Sequence, residues 1–282
     1  MKNKRLKIKK NKPYKIFKSN GTNRVIILCD HASNYIPPKY KNLGLENNQI
    51  QKHIGWDIGA ANVAKKISKS LDATLIMSGY SRLLIDCNRP FGVPEAFIKK
   101  SENTIIPGNF NLTKKEKTYR AKKYCIPYRN KIENIIKSRM KKNIIPIIVS
   151  IHSFTPVYNG KSRPWHLGLL FRKEKRLFSL LIKELQKDKS IKTGINQPYK
   201  CNLKGDFSIP YFAELKGLPC ILLEIRQDLI NSKSGVVKWS KKILKLINKI
   251  ILHQNIEFSV RRHQDVLLYY NKKNKIWLIK KI

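Results

Sequence analysis

The chain reads as an α/β protein: a three-layer α/β/α domain around a mixed, mostly parallel sheet, spanning about residues 23–252. Two observations predict this. Short apolar, β-branched runs of the kind buried on both faces of a sheet alternate with longer stretches of helical periodicity. Several of those runs stop abruptly in a histidine or carboxylate followed by small polar residues. In open α/β sheets that is the end at which ligands gather.

Residues 1–22 are rich in Lys and Asn and close on Ser19-Asn20-Gly21-Thr22, which predicts a basic, loosely docked tail. Arg24–Cys29 is the first buried strand and delivers Asp30 and His31. Gln49–Leu71 carries an apolar stripe (Ile50, Ile54, Ile58, Ala61, Ala64, Ile67) near helical period, which predicts an amphipathic helix with Asp57 inside it. Thr74–Met77 predicts a strand, and Tyr80–Cys87 a second one delivering Asn88-Arg89-Pro90 into a long loop. Residues 91–112 are irregular, with a turn at Pro107-Gly108; a loop of that length in a compact domain is usually functional. Thr113–Lys142 predicts a long helix, N-capped by Thr113 with Glu116 closing the box, kinked or divided by Pro127.

The run from Ile144 to Ile151 is almost wholly apolar and β-branched and ends in His152. Arg163–Phe171 predicts a further strand, Arg176–Gln186 a helix, residues 198–205 a loop, and Ile209–Lys216 a helix stopped by Gly217. Cys220–Ile225 is another buried strand, with Glu224 planted in it. Val236–Leu252 closes the domain. Residues 253–282 form an extension in which Val266–Tyr270 and Ile276–Ile279 predict a hairpin.

Composition limits the function classes. Lys and Arg number 59 against 18 Asp and Glu, a formal charge of +41. Such a chain attracts polyanions non-specifically by counterion release. The excess is mostly scattered Lys, with no zinc-knuckle spacing and no RRM-type aromatic signature, so a dedicated nucleic-acid function is not expected. Five cysteines, without a CxxC, lie largely in apolar runs and point to a reducing compartment. The N-terminal stretch lacks a signal-peptide apolar segment, and no apolar run reaches membrane-span length. These features predict a soluble, cytoplasmic protein.

Two histidines and two carboxylates could form a site. His31 and His152 follow buried strands, Asp57 sits between Trp56 and Ile58, and Glu224 interrupts an apolar strand. Two imidazoles and one carboxylate make a three-ligand set with an open position, as catalytic zinc prefers. A further carboxylate beside it could serve as general base. Arg82, Asn88 and Arg89 could grip an anionic substrate. Each residue also has a structural reading. His152 could cap its strand, Asp57 could cap or pair with a lysine, Glu224 could pair with Arg226, and Arg82 and Arg89 could anchor the long loop. The spacing is too dispersed for a local metal motif.

Six blocks carry a resemblance: Ile26–Asn34, Trp56–Ala60, Ser81–Pro90, Ser150–Pro156, Pro164–Gly168 and Leu223–Asp228. In that order they closely resemble the N-formylglutamate amidohydrolase family, across about residues 24–250. That family is similar in fold to zinc-dependent exopeptidases. The resemblance implies zinc held by His31, Asp57 and His152, Glu224 as general base, and Asn88 and Arg89 as carboxylate clamps, with Arg82 expected to join them. Arg226 and His166 would stabilise the oxyanion or line the pocket. Where zinc carboxypeptidases place a glutamate three positions after the first histidine, this chain has Asn34. Asn34 is then expected to orient substrate, and Asp57 to supply the third ligand. The implied substrate is a small, anionic N-acyl amino acid.

Overall fold

The computed structural model describes residues 11–252, together with the backbone of residues 266–271 and 276–281. Seven strands form the main sheet: β1 Tyr14–Phe17, β2 Val25–Cys29, β3 Thr74–Ser78, β4 Ile147–Phe154, β5 Leu167–Leu170, β6 Thr193–Ile195 and β7 Cys220–Arg226. Their spatial order is β1-β3-β2-β4-β7-β5-β6. The four central strands, β3, β2, β4 and β7, run parallel. β1 pairs antiparallel with β3 at one edge, and β5 turns antiparallel to β7 near the other, with β6 parallel to β5.

Alternation along each strand divides the core in two. Ile26, Leu28, Ile76, Ile148 and Leu222 face one layer, with Tyr128, Ile132 and Ile136 of the long helix. Val25, Ile27, Leu75, Val149, Ile221 and Leu223 face the other, with α1 Ala60–Leu71, α3 Arg176–Leu185 and α5 Lys233–Ile251. Both faces of the four central strands are covered, so they are mostly apolar. The long helix, α2, runs Lys114–Arg120, widens to a π turn over Ala121–Cys125, and continues as Ile126–Lys141. Pro127 has no N–H to donate and its ring crowds the carbonyl four residues back; the wider turn just ahead accommodates it without ending the helix. Thr113 caps α2 by accepting from the Glu116 N–H at 3.1 Å, while the Glu116 side chain turns to Arg120 at 2.8 Å. Among the described residues no helix is long and apolar enough to cross a membrane.

Four expectations are corrected. The predicted tail contains β1, so residues 14–17 belong to the sheet; residues 1–10 lie outside the described ones. Gln49–Leu71 is not one helix. A single turn, Asn47–Ile50, is followed by irregular chain until α1 starts at Ala60. Gly59 permits the turn into α1: it has φ +80°, and a Cβ there would collide with Ile230 O. Tyr80–Cys87 is not a strand. Its backbone bonds to loops, with Ser81 N–H on Tyr35 O, Arg82 N–H on Gly55 O and Asp86 N–H on Ala96 O. Its apolar residues are buried without belonging to the sheet. The strand expected over Arg163–Phe171 shrinks to Leu167–Leu170, and β6 was not anticipated. In the C-terminal extension Val266–Asn271 and Ile276–Lys281 pair antiparallel, as the expected hairpin requires.

Candidate active site

The site lies at the carboxyl ends of β2, β4 and β7. His152 and Glu224 are register partners on adjacent parallel strands, so their side chains leave the same face of the sheet side by side. His31 follows the end of β2. Asp57 sits in the irregular chain before α1, tied down by its own N–H to His31 O at 2.9 Å. The break that the sequence pattern concealed therefore places this carboxylate.

Three ligand atoms converge. His152 Nδ1 lies 2.8 Å and His31 Nδ1 3.4 Å from Asp57 Oδ2, and the two rings meet edge to face at 5.0 Å. All three residues are buried, and one donor atom from each fits within 4.8 Å of the others. Behind each imidazole stands a carboxylate: Asp86 Oδ1 at 2.7 Å from His31 Nε2, and Asp30 Oδ2 at 3.3 Å from His152 Nε2. Asp30 is itself fixed by Ser208 Oγ at 2.6 Å and Tyr128 OH at 3.0 Å. Carboxylates so placed hold the ring proton on Nε2 and leave Nδ1 as a lone pair, which is how metal-binding histidines are oriented. Two Nδ1 lone pairs and a carboxylate oxygen then face one another. Three acceptors at this range repel unless a cation stands among them. The residues fit a divalent metal ion.

Burial and neighbouring charges set the protonation states of the metal-free site, and they differ between the two imidazoles. Burial, helped by the Arg82 charge, pushes His31 down to about 4, so it stays neutral near pH 7. Burial also lowers His152, but its hydrogen bond to Asp30 and the Glu224 charge outweigh that and raise it. Burial raises Asp86, yet the charge and hydrogen bond of His31 bring it below the usual carboxylate range. Glu224 is raised by burial, and its Oε2 has no hydrogen-bond partner among the described residues.

A cavity of about 540 Å³ opens beside these groups. His31, Asp57, Arg82, Asn88, Arg89, His152 and Glu224 all line it. Arg82 Nη2 donates to Asp57 Oδ1, so it also orients the carboxylate, while its buried Nε is without a partner among the described residues. Three expected residues lie elsewhere. The Arg226 guanidinium is held by Asp228 at 2.8 and 3.1 Å and by Pro164 O. His166 accepts from the Lys192 N–H through Nδ1 and packs against Trp239, in the core layer on the far face of the sheet. Asn34 donates to Gln51 Oε1 at 3.0 Å, outside the cavity.

Sequence reasoning overlooked Asp30 and Asp86, and two further residues that line the cavity, Asp206 and Tyr199. The first two had a signal: each is an acid directly beside a buried apolar run, one residue from a histidine or two from the Asn88-Arg89 pair. Asp206 and Tyr199 lie in or beside a loop without pattern. Gly168 has a structural reason. It is the register partner of Glu224, its added Cβ would collide with Gln197 O, and Glu224 Cβ is 3.2 Å away.

Fold and site together define a hydrolase of the α/β/α class with a buried metal-competent centre. The family model for N-formylglutamate amidohydrolase matches residues 23–231. The chain belongs to that family, whose members are hydrolases acting on C–N bonds. A crystal structure of a gene product from Agrobacterium tumefaciens is similar with TM-score 0.82 and 33% identity, covering 85% of this chain and 95% of the other. An N-formylglutamate amidohydrolase from Ralstonia eutropha JMP134 is similar in fold, with TM-score 0.57, 15% identity and coverage of 86% and 99%. No curated protein matches the chain.

Proposed function

We propose that the protein hydrolyses the amide of a small N-acyl amino acid, with N-formyl-L-glutamate giving formate and L-glutamate as the type reaction. His31 and His152 through Nδ1, and Asp57 through Oδ2, would hold a single divalent ion, zinc by the chemistry of the donor set. Such an ion, when bound, polarises the amide carbonyl and lowers the pKa of a water toward ~7. Asp86 and Asp30 keep the two imidazoles in the ligating tautomer. Glu224 accepts the proton of the attacking water and passes it to the departing amine nitrogen. Burial suits it to both tasks by raising its pKa toward the working range. Arg82 steadies Asp57 and lines the cavity, where its charge would favour developing oxyanion charge. Asn88 and Arg89 bind the substrate carboxylate. The catalytic unit on this reading is the domain that ends near residue 252, with the C-terminal hairpin outside it.

The observation that carries the reading is the in-register pair His152 and Glu224, with the glutamate's free oxygen beside the His31–Asp57–His152 group. The test is Glu224→Gln, assayed by formate release and by metal content. Turnover falls by about 10²–10⁴-fold, the range for a lost general acid–base group. Metal per chain stays at the wild-type level. Turnover near wild type with normal metal content removes Glu224 from the mechanism.

A further inference from the structure

The proposed substrate carries two carboxylates, and the grip assigned to Asn88 and Arg89 accounts for one. Arg89 is shared with the cavity's own acids, 3.4 Å from Asp206 Oδ1 and 3.7 Å from Asp86 Oδ2, and Arg82 donates to Asp57. A second carboxylate needs a cation that no acid of the protein already holds.

Arg163 is such a cation, at the cavity mouth. Its N–H donates to Pro156 O at 2.7 Å, at the foot of a short hairpin in which Val157–Tyr158 pairs with Lys161–Ser162. The guanidinium packs against two rings that line the cavity, 4.5 Å from the centroid of Tyr158 and 4.9 Å from that of Tyr199. Its Nη1 donates to the Tyr199 hydroxyl at 2.9 Å. Two aromatic faces and one hydrogen bond hold the planar fork in place without neutralising it. Among the described residues no carboxylate pairs with it, and its Nε and Nη2 have no hydrogen-bond partner.

Tyr199 adds a donor beside this charge. Its oxygen accepts from Arg163, which leaves its own proton for another acceptor, and none of the described residues takes it. Burial and the Glu224 charge raise the phenol above its ordinary range, against the pull of Arg163, so it keeps that proton at neutral pH. Glu224 and Arg82, which line the same cavity, are near enough for their charges to act on the hydroxyl. Lys200 also lines the cavity, but it is exposed and solvent screens its charge.

We infer that Arg163 and Tyr199 form the subsite for the substrate's second carboxylate, the guanidinium supplying charge and the phenol an O–H donor. This rests on the amide hydrolysis proposed above and names the residues that fit it to an acidic side chain. N-formyl-L-glutamate and N-formyl-L-glutamine are nearly the same shape and differ in that carboxylate, so the ratio of their kcat/KM values reads the subsite. Metal-loaded wild-type protein prefers the glutamate compound. Arg163→Met keeps an apolar stem against the rings and lowers the ratio by about 10- to 100-fold, chiefly through KM, the range for a lost hydrogen bond to a charged group. Tyr199→Phe keeps the ring and lowers it by about tenfold. Lys200→Met shifts it by less than about threefold. A wild-type ratio of one or below overturns the subsite. So does a ratio that Arg163→Met leaves unchanged, whether both activities persist or both fall together as loss of a purely structural clasp would make them. An equal shift by Lys200→Met also overturns it, by reducing the effect to general positive potential. Each of these leaves the hydrolysis standing; wild-type protein that cleaves neither compound removes both.

Discussion

Asp86 offers the sharpest test of the metal centre, because its carboxylate touches the ligand set without belonging to it. Its Oδ1 lies 2.7 Å from His31 Nε2 and also accepts the Asn88 N–H at 2.8 Å. Asparagine at this position keeps an acceptor and removes the charge; alanine removes both. Carboxylates behind ligating histidines typically contribute 10- to 100-fold to metal affinity, or about 1.4 to 2.8 kcal/mol. Asp86→Asn is therefore expected near the lower bound and Asp86→Ala near the upper. Asp30 is the less clean probe. Its contact with His152 is longer, at 3.3 Å, and it also holds Tyr128 and Ser208. Replacing it strands buried donors, at about 1–3 kcal/mol of fold stability. The assay is competition for zinc against a chromogenic chelator, with formate release at saturating metal in parallel. Weaker zinc binding, with turnover recovered at saturating metal, is the expected pattern for Asp86→Asn. Unchanged affinity in a folded variant refutes the role, and so does a loss of turnover that excess metal does not restore.

Further predictions concern protons, the loop over Glu224, and the residues left outside the cavity. His152 is raised above its ordinary 6.5 and Glu224 above 4.5, so each stabilises the metal-free protein below those values and loses that contribution as pH rises through its folded pKa. His31, lowered to about 4, acts with the opposite sign, but only between about pH 4 and 6.5. The melting temperature of metal-free protein should thus fall as pH rises above 6.5, while apparent zinc affinity climbs as His152 gives up its proton; a flat affinity between pH 6 and 8 contradicts this. Gly168→Ala should push the chain at Gln197 away from β5, destabilising by about 1–3 kcal/mol as measured by urea unfolding and lowering activity with it. Arg226→Ala should leave kcat/KM within a fewfold of wild type in the formate assay, since Asp228 and Pro164 already hold that guanidinium; a loss of two or more decades would return Arg226 to the site.

What the sequence disclosed about this protein follows from where burial writes a pattern. Strands covered on both faces must be apolar, so β2, β4 and β7 were legible, and so were the polar residues at their ends, because His31, His152 and Glu224 interrupt an apolar context. The same rule misled at Tyr80–Cys87, where buried residues form no strand and their backbone groups are satisfied by Tyr35, Gly55 and Ala96. Periodicity failed at Gln49–Leu71 because Ile50 and Ile54 are buried as a helix would bury them, although the chain breaks before Gly59. Asp57 is at the site because of that break, so the right residue was reached through the wrong local structure. Arg226 and Glu224 share a strand face by spacing, but the arginine is the strand's last residue and its side chain is captured two positions on, at Asp228.

The boundary between what was legible and what was not also separates chemistry from selectivity. His31, His152 and Glu224 stand on or just past strand ends, where they interrupt an apolar run, whereas Asp57 sits in irregular chain before α1. The groups around Arg89 come from chain segments without pattern, and Asp206 reaches it across more than a hundred residues. The six blocks that carry the family resemblance take in both sets, since Ser81–Pro90 holds Asn88 and Arg89. The segments around Arg89 line the same cavity, so a change in them leaves the strands undisturbed. Two proteins with the same metal-competent centre can therefore differ in substrate through one loop residue. Assay of a panel of N-acyl amino acids, not the presence of the motif, reports which of them this protein takes.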